Sequence, residues 1–139
     1  MKMFAFVFIV CALVQLSNQQ TAEQLIDGYV KLVEAAKPDC LKESGANEDV
    51  IDKEVTHGEF SQEKNVLCFW KCFLKKYNVI NDKDEVQEEN VRQFIGLSDE
   101  KLVDEIHKKC APLRGSDVCD TSGKISKCVY TSAKAALAK

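Results

Sequence analysis

Six cysteines constrain this chain more than any other feature: Cys40, Cys68, Cys72, Cys110, Cys119 and Cys128. A seventh, Cys11, lies in an N-terminal stretch, MKMFAFVFIVCALVQLSNQQ. There Lys2 precedes an apolar run from Met3 to Val14, followed by small and polar residues. This is the layout of a secretory signal peptide. A membrane anchor needs about 20 apolar residues, and Gln15 interrupts too early for stable membrane insertion. Residues 1–19 are therefore read as the leader, cleaved between 17 and 21, and 20–139 as one domain. Cleavage removes Cys11 and leaves an even number of thiols, which in a small secreted chain implies three disulfides.

The other uses of cysteine fit poorly. Zinc requires two close pairs of ligands, whereas only Cys68 and Cys72 are close, and His57 and His107 have no partner at ligand spacing. No metal or cofactor is expected. The whole chain carries a net charge of −3, one unit more negative without Lys2. With mixed signs and no basic stripe, nucleic acid is excluded as a partner.

The apolar periodicity is helical nearly throughout. Thr21 and Gln24 form a capping box for a stripe of Leu25, Ile26, Tyr29, Leu32, Val33 and Ala36, which Pro38 is expected to end. Cys40 then opens a short piece stopped by Gly45. Asn47 caps a helix carrying Val50, Ile51 and Val55 as far as Gly58. The segment from Ser61 to about Asn78 contains VLCFWKCFLKKY, with two thiols and four aromatic rings. After the polar loop NDKDE, Val86 to Ile95 forms a fourth stripe closed by Gly96. Ser98 is expected to cap a helix in which Leu102, Val103, Ile106 and Cys110 share a face. The last helix holds Cys119, Ile125, Cys128 and Val129, although Gly123 within it costs about 1 kcal/mol relative to alanine. The expected fold class is all-α, with about six short helices.

Cys68 and Cys72 lie one turn apart on one flank of their helix, so their parallel side chains should not pair. Trp70, Phe73, Leu74 and Tyr77 fall on the other side. Cys119 and Cys128 lie about 13 Å apart along their helix, beyond disulfide reach. Removing these two pairs leaves ten of the fifteen arrangements that six cysteines allow, and geometry goes no further.

One cysteine, a gap of 27 residues, CxxxC, a gap of 37, then two gaps of eight: this spacing resembles that of the insect odorant-binding proteins, the six-cysteine pheromone and general odorant-binding family. The resemblance spans the chain beyond the leader, including KLVEAAKPDC and CDTSGKISKCVY. It implies interlocked bonds Cys40–Cys72, Cys68–Cys119 and Cys110–Cys128, and helices arranged around an internal hydrophobic cavity. It also implies a secreted carrier of odorants, pheromones or similar lipophilic molecules. A membrane chemoreceptor is the implied eventual partner, and the implied state is a monomer or weak homodimer. The ligand-binding candidates are Trp70, Phe73, Leu74, Tyr77, Val91, Phe94, Leu102, Ile106, Ile125 and Val129, with Tyr77 or Tyr130 offering a hydroxyl.

A cavity of about 300 Å³ would forgo about 7 kcal/mol of packing. Each disulfide could return about 3 to 4 kcal/mol in the chain-entropy model. The plainer reading of the aromatic stripe is solid core, and the alternative function is a non-olfactory carrier or an interaction protein without a cavity. Acid-triggered release through His107 is conceivable in such a family, but a partly exposed histidine with no switching role is the simpler reading. The tail SAKAALAK, with one large apolar residue, is poorly suited to plugging a cavity. An enzyme is not expected: phospholipase chemistry needs a calcium loop and a histidine backed by an aspartate. A GxSxG elbow is missing as well. Saposin-type cysteine spacing begins with a closer pair than this chain has.

Overall fold

Thr21 and Gln24 open the first helix by bonding each other's backbone amides, at 3.2 and 3.0 Å, in a computed structural model that describes residues 20–138. The leader and its cleavage point lie outside the described residues. This helix, α1, covers Ala22–Ser44 and ends at Gly45, whose φ of 71° is the left-handed conformation glycine adopts most easily. It runs through Pro38, against the expectation that proline would end it. Proline removes the amide bond to the carbonyl four residues back, and here both Glu34 and Pro38 are on the exposed side of the helix. Water can serve the freed carbonyl, while buried Ala36 and Cys40 hold the helix on either side of the proline. The piece that Cys40 was expected to open is the last part of α1.

Helix α2, Glu48–His57, starts where the Asn47 side chain accepts from the amides of Asp49 and Val50, and stops at Gly58. Helix α3, Lys64–Lys76, begins three residues after Ser61, whose amide is drawn off to Glu54. The NDKDE loop closes on itself through the Asn81 carboxamide oxygen, which accepts from the amides of Lys83 and Glu85. It is flanked by an isolated antiparallel bridge between Ile80 and Val86.

The expected fourth helix is a 3-10 helix, Glu88–Phe94, which points Val91 and Phe94 inward. Helix α4, Glu100–Cys110, is capped by Asp99 in place of Ser98. Helix α5, Val118–Leu137, is capped by Asp117 and takes in most of the tail.

The most extensive packing is between α3 and α5, with α1 laid on α3 and α4 on α5. Gly123 sits at the α3–α5 contact, where a Cβ would come within 2.4 Å of Leu67 Cδ2. Its poor helix propensity is thus accepted in exchange for a close approach of two helices. Disulfides tie the same contacts: Cys40–Cys72 joins α1 to α3, Cys68–Cys119 joins α3 to α5, and Cys110–Cys128 joins α4 to α5. An ion cluster around the buried Lys37 adds a fourth tie. The Lys37 ammonium of α1 meets Glu34 at 2.6 Å, Glu48 of α2 at 3.4 Å, and Asp52 of α2. Burial works against its charge, but hydrogen bonds to Asp52 and Glu34 prevail and raise its pKa.

Candidate ligand-binding slot

Five elements and one loop enclose an apolar slot at the centre of the protein. Helix α1 supplies Tyr29 and Val33, α2 supplies Val55, and the loop after α2 supplies Phe60. Trp70 and Phe73 come from α3, Phe94 from the 3-10 helix, and Ser126, Val129 and Tyr130 from α5. The rings meet edge to face: Trp70 on Phe73 at 5.2 Å, Phe73 on Phe94 at 6.3 Å, and Phe60 on Tyr130 at 5.5 Å. Such contacts favour ring centroids 4.5–7 Å apart. The rings nearly fill the centre. The volume left for the centre of a water-sized sphere is about 30 Å³, room for one or two waters, not the odorant-sized space expected. Rings packed against one another keep contacts that an open cavity would lose.

Polar groups at the slot divide sharply. The Tyr29 hydroxyl donates to the Ile95 carbonyl at 2.5 Å, and its pKa is raised by burial and by nearby Tyr130. The Trp70 indole N–H donates to Glu54 Oε1 at 2.6 Å. Glu54 Oε2 accepts from the Ser61 amide at 2.7 Å. Fully buried, this carboxyl is pushed up by desolvation, although both hydrogen bonds pull the other way. Ser126 Oγ and Tyr130 OH have no hydrogen-bond partner among the described residues, and burial raises the Tyr130 pKa. Phe60 and Trp70 also line a second, more polar pocket together with Leu67, Lys124 and Lys127. Phe60, half-buried, therefore separates slot from solvent.

Of the residues singled out in the sequence, Trp70, Phe73, Phe94 and Val129 line the slot. Tyr77 stands behind Phe73, 4.9 Å away ring to ring, and spends its hydroxyl on the Leu32 carbonyl at 3.0 Å. Leu74, Val91 and Ile125 are fully buried in the surrounding core. Leu102 and Ile106 instead flank a surface groove between α4 and α5, beside Ser132 and Ala136. Tyr29, Val33, Val55, Phe60 and Ser126 were not among the ligand-binding candidates. The first three belong to apolar stripes of α1 and α2, in which periodicity does not separate slot lining from core. Phe60 lies in a loop and Ser126 is small and polar, so neither carried a periodic signal. His107 Nε2 lies 2.7 Å from the Glu88 carbonyl, tying α4 to the 3-10 helix away from the slot. Among the described residues there is no metal-ligating cluster, and no helix is long and apolar enough to cross a membrane.

Residues 22–132 match the model of the PBP/GOBP family. The chain belongs to the PBP/GOBP family. This PBP/GOBP protein is 24% identical over 125 residues to general odorant-binding protein 69a of Drosophila melanogaster, covering 90% of the chain and 84% of that relative. It is 31% identical over 101 residues to odorant-binding protein 10 of Aedes aegypti, covering 70% of each. Among solved structures it resembles the fatty acid binding protein OBP56a from the oral disk of the blowfly Phormia regina. There the TM-score is 0.57 at 27% identity, covering 82% of this chain and 95% of the other. The two relatives carry the name of odorant-binding proteins, and the solved structure is named a fatty acid binding protein.

Proposed function

We propose that this PBP/GOBP protein is a secreted carrier that buries a small hydrophobic molecule in the central slot for transport in chemosensation. The observation that carries the reading is the slot itself, an apolar site lined from five elements, three of them cross-tied by disulfides. Binding draws on about 25 cal/mol per Å² of apolar surface removed from water. Because the resting slot is narrow, a guest enters by displacing side chains, with Phe60 nearest the exterior. The carrier does no covalent chemistry; capture and release are its whole task. A setting outside olfaction has one observation in its favour, the likeness to a fatty acid binding protein of an oral disk.

The test is competition against a polarity-sensitive fluorescent probe, with Trp70 emission as a second readout. Saturable uptake with quenching of Trp70 supports the carrier. Absence of uptake for every lipophilic compound tried would leave a solid-core protein in its place.

A further inference from the structure

The slot is apolar except at one point. Ser126 and Tyr130 are four residues apart on α5, and so share one face of the helix. Both line the slot, both are 6% exposed, and neither hydroxyl has a hydrogen-bond partner among the described residues. Their neighbours are not in the same position. Tyr29 is spent on Ile95 and Trp70 on Glu54, so the two free hydroxyls are the unspent polar groups of the lining. Buried polar atoms are nearly always satisfied, and leaving two unsatisfied one turn apart on α5 carries a desolvation penalty. A guest with an oxygen at one end would remove that penalty, since a hydroxyl can both donate and accept.

Charge narrows the choice. Among the described residues, no lysine, arginine or histidine lines the slot. The Lys134 ammonium stands 5.8 Å from the centroid of the Tyr130 ring, over the ring and not at the hydroxyl. A carboxylate placed there would lose its hydration without a cation to replace it. With burial raising its pKa, the Tyr130 hydroxyl stays protonated and able to donate at neutral pH.

Building on the carrier reading above, we infer that Ser126 and Tyr130 form a polar anchor selecting neutral ligands with a single terminal oxygen function, such as alcohols or aldehydes, over hydrocarbons and carboxylates. The apolar remainder of such a ligand lies among Trp70, Phe73 and Phe94.

The test uses four compounds of equal chain length, decane, decanol, decanal and decanoate, each displacing N-phenylnaphthylamine from the oxidised protein at neutral pH. Decanol and decanal are expected to bind about three- to tenfold more tightly than decane, the range of one neutral hydrogen bond, with decanoate weaker than decanol. Ser126→Ala and Tyr130→Phe should each bring the decanol-to-decane affinity ratio close to one, while far-UV circular dichroism and the thermal midpoint report that the variants fold. Equal affinity for decane and decanol overturns the anchor while leaving the carrier intact. So does tighter binding of decanoate than of decanol, or equal weakening of decane and decanol by the variants. Failure of the protein to take up the probe or any of the four overturns the carrier reading, and the anchor with it.

Discussion

Trp70 donates its indole N–H to a carboxylate oxygen of Glu54 across 2.6 Å, deep in the protein. The other oxygen of Glu54 holds the Ser61 amide, so one buried acid fixes both a wall of the slot and the loop that carries Phe60. Replacing it with glutamine turns one acceptor into a donor facing a donor. Glu54→Gln is expected to lower stability by about 1 to 3 kcal/mol, with a red shift of Trp70 emission, measured by urea denaturation followed through fluorescence.

The pH dependence of that effect has a definite sign. The folded pKa of Glu54 is raised, chiefly by burial. Its contribution is therefore fully present below the ordinary glutamate pKa and is lost as pH rises through the raised value. The deficit of Glu54→Gln relative to wild type should be larger at acid pH than at neutral pH. Comparing the two proteins cancels Asp39, Asp84 and Asp117, whose bonds to lysines lower their pKa and whose contributions decline in the opposite direction, as pH falls. Denaturation midpoints across a pH series check this.

Phe60 faces both the slot and the second pocket. Phe60→Ala should speed both entry and exit of a probe by about tenfold, with a stability loss of about 1 to 2 kcal/mol for a half-buried ring. Stopped-flow quenching of Trp70 reads both rates. Unchanged rates would place the entrance elsewhere.

The three disulfides close loops of different size, with partners 18, 32 and 51 residues apart. In the chain-entropy model, replacing Cys110 and Cys128 by alanine costs about 3 kcal/mol, and replacing Cys68 and Cys119 about 4. The second pair also crosses the largest helix contact. Chemical denaturation of the paired variants should reproduce this order, and non-reducing peptide maps should join Cys68 to Cys119.

Lys37 is buried against three carboxylates that remain partly exposed. Lys37→Met keeps the packing but leaves Glu34, Glu48 and Asp52 facing each other uncompensated, an expected loss of about 1 to 3 kcal/mol. Adding Asp52→Asn should recover part of it. A double-mutant cycle measures the coupling.

Helix caps and cysteine spacing are local facts, and they were legible in the residues. Thr21 with Gln24, Asn47 and Gly58 mark helix ends because each cap is satisfied within a few positions of the chain. The differences arise where the outcome depends on surroundings that apolar periodicity does not record. Pro38 is tolerated because the Glu34 carbonyl it frees lies on the exposed side of the helix, and Ser61 is withheld from α3 because Glu54 takes its amide. The stretch before Gly96 winds as a 3-10 helix, and apolar periodicity does not separate that from an α-helix over so few residues.

The sequence by itself determined that short helices would form, which faces would be greasy, and how many crossties were available, since periodicity and spacing are properties of one strand of chain. Tertiary structure alone decided which greasy residues border the slot and which are merely core. Trp70 and Leu74 lie on the same flank of one helix, yet only Trp70 reaches the slot. Lining depends on where the other helices stop short of contact, and that distance is set by packing among residues remote in the chain, as with Gly123 against Leu67.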